Sequence, residues 1–351
     1  MAGKKTVLQR AGWCLAMILA MAYVAQAAPI VQDFGPFHVT FYNAGDSVRL
    51  STSSSLTGAQ NWTAQQIADM GASIQAWDSQ IDNTQGRQIK MSLVWRELDS
   101  YGTSVLGGSA SPNYGDGNRS WNYGEHVWRD GANLPTGAGT GLWGDWDTLI
   151  QYDVTAAGFS WNFGADAPAS NEIDFRTVLT HELGHSLGFS PTLDYSSPGY
   201  YDDWGNCRGS ENSSGSYKGY KGLSAWDSFL VDSHGNRPVN AGLGLPGNFD
   251  QVDNPVYFDG ANARALNGGT NVAIYAPATY APGSSLSHLN ESTFPNALMS
   301  PFVSLGQMVR EPTVLEWAMM QDMNWDVPEP ATLSLLALGG LALIRRRRKS
   351  A

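Results

Sequence analysis

His181-Glu182-Leu183-Gly184-His185-Ser186-Leu187-Gly188-Phe189 is the stretch on which the reading of this chain turns. Two histidines four apart on an α-helix are separated by about 40° of rotation and about 6 Å of rise, so both imidazoles leave one face. Nitrogens placed in this way can share one tetrahedral zinc at about 2.0–2.1 Å each. Glu182 lies about 100° round the helix from His181, beside such a metal rather than on it. A carboxylate there can take a proton from an activated water. Leu179, Leu183 and Leu187 step by four along the opposite side and give the helix a face to bury. Asp174 is placed to cap the helix and Gly188 to end it, which predicts helix from Phe175 to about Leu187. A chance match on an ordinary amphipathic helix is the competing reading, and the capped, correctly polarised setting argues against it.

Catalytic zinc usually keeps three protein ligands. In the compact pattern HExxHxxGxxH the third ligand falls at Pro191, which cannot ligate. The other candidates are spread along the chain. His38 sits in a predicted strand and His126 in a Trp/Gly-rich region, and both read as structural. His234, in Asp232-Ser233-His234-Gly235-Asn236, reads as a solvated hairpin turn. Asp194 is chemically able to ligate and stays open as the fallback. His288 is the favoured third ligand because of the company it keeps. It lies in Gly283-Ser284-Ser285-Leu286-Ser287-His288-Leu289, followed by Ala297-Leu298-Met299-Ser300-Pro301.

That combination resembles the leishmanolysin-type metzincins. There, a long insertion separates the HExxHxxGF helix from a late histidine, and a methionine-containing turn follows it. The closing Gln321-Asp322-Met323-Asn324-Trp325 also looks like that family's last helix. The resemblance implies an α+β, metzincin-like zinc peptidase fold. An upper lobe of twisted sheet and helices would face a smaller, irregular lower lobe across a cleft. It further implies metal ligands His181, His185 and His288, a general base at Glu182, and structural roles for Gly188 and for Met299, the floor beneath the imidazoles. The N-terminal half matches only in general layout. The cysteine-rich character common in that family is missing, and so is any residue for a cysteine-switch latency.

Both ends read as addresses. Lys4, Lys5 and Arg10 precede an apolar run from Ala11 to Ala25 and a small-residue site at Ala25-Gln26-Ala27, the three parts of a secretory signal peptide over residues 1–28. At the other end Pro328-Glu329-Pro330 leads into an apolar stretch from Ala331 to Ile344 and five cations, Arg345 to Lys349. Fourteen residues make a short transmembrane stretch, and the cations would stop transfer. Together these features resemble the PEP-CTERM sorting signal. The resemblance implies exosortase-like export machinery as a partner, transient membrane anchoring, and a cell-surface or secreted destination.

Without both ends, 13 basic and 31 acidic residues remain, a charge of −18. Such a surface disfavours nucleic acid as a partner. Cys207 is the only cysteine left after the leader, so no internal disulfide is expected. Residues 29–190 read as an N-terminal lobe carrying the zinc helix, 191–327 as a C-terminal lobe carrying the third ligand and the Met-turn, and 328–351 as the sorting tail. Strands are expected at Phe37–Tyr42, Ile89–Trp95, Thr148–Val154, Ser228–Asp232, Val256–Asp259 and Val272–Tyr275. Helices are expected after capping boxes at Thr63 and Thr313, and the region from Gly102 to Gly144 reads as short strands and long loops.

The expected function is that of an exported zinc-dependent endopeptidase acting on protein or peptide bonds through a zinc-activated water. The alternative is a surface or matrix-associated binding protein on a degenerate peptidase scaffold, against which the intact Glu182 argues. Zinc hydrolysis of a surface polymer is a second rival. Asn113-Asp116-Asn118 and Asp202-Asp203-Asn206 could offer oxygens to a structural Ca2+. Neither matches a defined calcium loop, and both read as solvated turns.

Overall fold

Phe37, Val39 and Phe41 alternate with less buried neighbours, the signature of a strand with one face on a core. In the computed structural model this strand belongs to a five-stranded sheet. The described residues are 28–50, 54–78, 89–98, 105–110, 113–115, 120–122, 146–191, 225–237, 239–240, 245–246, 255–278, 281, 283–323 and 325. We number the elements that build the core β1 (Ile30–Phe34), β2 (Phe37–Tyr42), α1 (Ala64–Asp78), β3 (Ile89–Arg96), β4 (Gly107–Ala110) and β5 (Thr148–Asp153). Then follow β6 (Ser160–Asn162), β7 (Glu172–Asp174), α2 (Phe175–Ser186), β8 (Leu230–Asp232), β9 (Val256–Phe258), α3 (Ala261–Leu266), β10 (Val272–Ile274) and α4 (Val314–Asp322). The leader, the sorting tail, His126, Asp194, Cys207 and the acidic residues of both calcium candidates lie outside the described residues.

The strand order is β1-β2-β3-β5-β4. β2, β3 and β5 run parallel, while β1 pairs antiparallel with β2 and β4 antiparallel with β5. The crossover between β2 and β3 carries α1, which opens on the expected reciprocal cap. Thr63 N–H donates to Gln66 Oε1 at 2.8 Å, and Gln66 N–H donates back to Thr63 Oγ1 at 3.3 Å. Met70, Ile74 and Trp77 form its buried stripe. β3 is buried along most of both faces, as a central parallel strand requires. α2 packs between α1 on one side and β4 on the other.

The second region is a three-stranded antiparallel sheet, β8-β9-β10, with α3 and α4 packed together. Each strand is a little shorter than its sequence expectation. Ser228 falls instead in a 3-10 turn, Asp227–Phe229, because its N–H and hydroxyl both donate to the Ala225 carbonyl. The short helix α3 is stabilised from outside its own sequence, which is why the sequence does not announce it. Asp322 at the end of α4 accepts from Asn262 N–H and Ala263 N–H at 2.8 and 2.9 Å. Buried side chains on both sides of residue 190, from Phe37 to Trp325, form one continuous core.

A buried ion pair ties the start of α2 to the chain beyond the methionine turn. Asp174 is fully buried and accepts from Thr177 N–H at 2.9 Å, from Thr177 Oγ1 at 2.7 Å, and from Arg310 Nε at 2.8 Å and Nη2 at 2.5 Å. Arg310 also donates to the Ala165 and Asp166 carbonyls. Arg310→Met would leave a buried carboxylate without its counter-charge. Urea unfolding should show a loss of about 3–5 kcal/mol, the range for breaking one side of a buried pair.

Candidate metal centre

The α2 helix holds two of the three imidazoles, and its end is built to aim one of them. Leu179, Leu183 and Leu187 are buried on the core side. Gly188 follows the last turn at φ +129°, a conformation open to glycine alone. Its N–H donates to the His185 carbonyl and the next N–H, of Phe189, to the Gly184 carbonyl, the paired bonds of a Schellman ending. This reversal brings the Phe189 carbonyl under His185, whose Nδ1–H donates to it at 2.5 Å.

The third imidazole arrives from the loop after β10. Tyr275 N–H donates to the His288 carbonyl and Leu286 N–H to the Tyr275 carbonyl, so the loop is strapped to the strand end. The Trp226 indole donates to the Leu286 carbonyl at 2.7 Å. Leu286 is held at φ +68°, a left-handed conformation costing on the order of 1–3 kcal/mol. His288 Nδ1–H donates to the Ser284 carbonyl at 2.8 Å. His181 Nδ1–H donates to the Leu298 carbonyl at 2.8 Å.

All three Nδ1 atoms therefore carry the ring proton, and all three Nε2 atoms present lone pairs. Those Nε2 atoms lie 3.0 Å (His181–His185), 3.2 Å (His181–His288) and 3.2 Å (His185–His288) apart. With no proton between them these are not hydrogen bonds but three converging donors. Burial holds the protonated forms down: His185 falls to about 3 through burial and the nearby His181, and His181 and His288 also fall, His288 well below its usual value. Ligands at about 2.0–2.1 Å in tetrahedral array lie about 3.3 Å apart. The donor set fits a zinc-sized, nitrogen-preferring ion, and it is the one such cluster among the described residues.

Glu182 follows His181 on α2, and its Oε2 is buried with no hydrogen-bond partner in the protein. Burial pushes its carboxyl up to about 8. A Cβ placed on Gly107 of β4 would come within 3.1 Å of Glu182 Oε1, so the sheet edge runs directly past the carboxylate. Tyr152, buried on β5, has its pKa raised chiefly by burial and then by the charge of Glu182. Beneath the helix, Met299 is fully buried against Gly184. A Cβ at Gly184 would lie 2.4 Å from Met299 Sδ and 3.0 Å from Trp77 Cζ2.

Among the described residues, the two other histidines are not part of this cluster. His38 Nδ1–H donates to Asp33 Oδ1 at 2.7 Å across the β1–β2 hairpin, and His234 sits in a turn whose amides are gripped by Asp232. Sequence reading missed the approach of β4, since Gly107-Gly108-Ser109-Ala110 has no strand propensity. That strand is held laterally, with Ser109 Oγ 2.7 Å from Ser186 Oγ, which also accepts from Thr148 Oγ1 at 2.8 Å.

Comparison with known families matches residues 326–349 to the PEP-CTERM protein-sorting motif. The chain therefore carries the mark of an exported, surface-sorted protein, one processed by exosortase-like sorting machinery. No curated protein and no solved structure matches the chain. The motif starts immediately after Trp325, whose indole donates to the Leu187 carbonyl at 2.9 Å, so the last described residue lies against the end of α2. Among the described residues no helix is long and apolar enough to cross a membrane.

Proposed function

We propose that this chain is an exported zinc-dependent endopeptidase with a metzincin-like layout. One observation carries the reading: three unprotonated Nε2 atoms converge on one point, two of them from the helix whose Glu182 has a buried oxygen that nothing in the protein satisfies. Three lone pairs so close repel one another, and a shared cation turns that repulsion into binding. His181, His185 and His288 would hold the zinc. When bound, the ion supplies a Lewis acid that polarises a carbonyl and brings the pKa of a water towards neutrality.

The other steps belong to the protein. The three Nδ1–H bonds to backbone carbonyls set the tautomers and lock the ring orientations. Glu182 takes the proton of the attacking water on its free oxygen and passes it to the leaving amine. A nearby cation favours its ionised form, opposing the burial that raises its pKa.

A peptide substrate is favoured by β4. It is the edge strand of the sheet, with no partner on its outer side among the described residues, and it passes within van der Waals reach of Glu182. An extended peptide can add to such an edge and bring its scissile bond alongside the carboxylate. The purified exported protein should contain about one zinc per chain. It should cleave casein, stop when treated with a chelator, and recover with added zinc. Zinc retained with no cleavage of any protein would overturn the peptidase reading in favour of a binding role, and the absence of metal would overturn the centre itself.

A further inference from the structure

Glu316 does two things, and its place in a helix cap accounts for only one. Its Oε2 accepts from Thr313 N–H at 2.6 Å and Thr313 Oγ1 at 2.7 Å, closing the capping box of α4. Its Oε1 accepts from Met299 N–H at 2.6 Å, seventeen residues away, with a further backbone interaction from Leu298. The side chain is fully buried. Burial leaves its pKa above the usual carboxylate value, and the hydrogen bonds from Met299, Thr313 and Leu298 limit the rise. Those groups all donate to it, which selects the ionised form.

The Met299 N–H and the Leu298 carbonyl belong to a single conjugated peptide unit. That carbonyl accepts Nδ1–H of His181 at 2.8 Å. Carboxylate, peptide and imidazole therefore stand in series, ending at the Nε2 that faces the other two histidines. The carbonyls behind His185 and His288 have no such backing. Their peptide units donate to plain backbone carbonyls, Ser190 N–H to Gly188 at 2.7 Å and Ser285 N–H to Ala281 at 2.8 Å.

We propose that Glu316 is a positioning residue for the metal centre, strengthening His181 as a donor through the 298–299 peptide unit. The negative charge polarises the peptide, the polarised carbonyl draws harder on Nδ1–H, and electron density rises at Nε2. The same contact seats Met299, whose carbonyl accepts from Leu289 N–H beside His288, so one carboxylate braces the segments under two ligands. This inference rests on reading the three imidazoles as a metal centre.

The test compares Glu316→Gln and Thr313→Val with the unaltered exported protein, using zinc alone as probe in chelator competition. Glu316→Gln should weaken zinc binding by about 10–100-fold, the usual cost of losing an outer partner of a ligand. In nitrogen-labelled protein the His181 Nδ1–H resonance should move upfield, with those of His185 and His288 unchanged. Thr313→Val breaks the helix cap and should lower stability while leaving zinc affinity and the His181 resonance in place. Unaltered protein that binds zinc, with Glu316→Gln indistinguishable from it, overturns the relay alone; so does an equal loss of affinity in Thr313→Val. Unaltered protein that binds no zinc overturns the centre and the relay together. Should Glu316→Gln not fold, the Met299 amide proton of the unaltered protein decides: far downfield supports a charged acceptor, and an ordinary position overturns it.

Discussion

Glu182→Gln should keep the metal, keep the fold and lose cleavage by about a hundredfold to ten-thousandfold, the contribution typical of a general base. The substitution preserves shape and removes only the basic oxygen. It should be tolerated because nothing depends on Glu182 structurally: Oε2 is buried with no partner, and burial alone raises the pKa. Zinc content by mass spectrometry and the rate of casein cleavage decide the matter together. A variant that cleaves at the unaltered rate would remove Glu182 from the chemistry.

The same residue gives a stability signature independent of activity. A carboxyl whose folded pKa is raised from 4.5 to about 8 prefers the folded state when protonated, so its contribution is present at low pH and lost as pH rises through 8. The imidazole pKa values are all lowered, and the unfolded-state titration of these groups near pH 6.5 is common to both proteins, so it cancels in the comparison. In metal-stripped protein, raising pH from about 6.5 to 8 should therefore cost the unaltered chain roughly 2 kcal/mol more than Glu182→Gln. Urea midpoints of the two proteins at both pH values measure it, and parallel pH dependences would contradict the buried, unpartnered state.

What could be read from sequence follows from how local each feature is. The α2 helix was legible throughout because its cap, its leucine face, its paired histidines and its terminating glycine all lie within one stretch. Asp174, Leu183, His181, His185 and Gly188 each stand where local rules put them. The strands at Phe37, Ile89 and Thr148 were legible for the same reason, since their apolar patterns are self-contained. Features made by distant partners were not. β4 is a strand because Ser186 and β5 hold it, α3 is a helix because Asp322 caps it, and Arg310 matters because Asp174 is buried beneath it. Glu316 shows the limit most clearly: its spacing from Thr313 announces the cap, while nothing local announces its grip on Met299. The geometry brings His288 to the two histidines of α2, a placement that sequence favoured only through resemblance and that left Asp194 as a rival.

His288→Ala should abolish tight zinc binding while Asp194→Ala leaves it intact. Removing a first ligand leaves two donors from one helical turn, and the loss should exceed the roughly 10–100-fold cost of losing an outer partner. The fold should survive, because the loop is held without the ring: Tyr275 N–H still meets the 288 carbonyl, Leu286 N–H still meets Tyr275, and the Trp226 indole still meets Leu286. Leu286, left-handed two positions before the ring, is held there by its burial and by these hydrogen bonds, so the loop should keep its shape when the ring is removed. Zinc titrations of both variants, with circular dichroism to show that each is folded, separate the candidates. If His288→Ala binds zinc as the unaltered chain does while Asp194→Ala does not, the third ligand is Asp194, and the convergence of the three Nε2 atoms is packing rather than coordination.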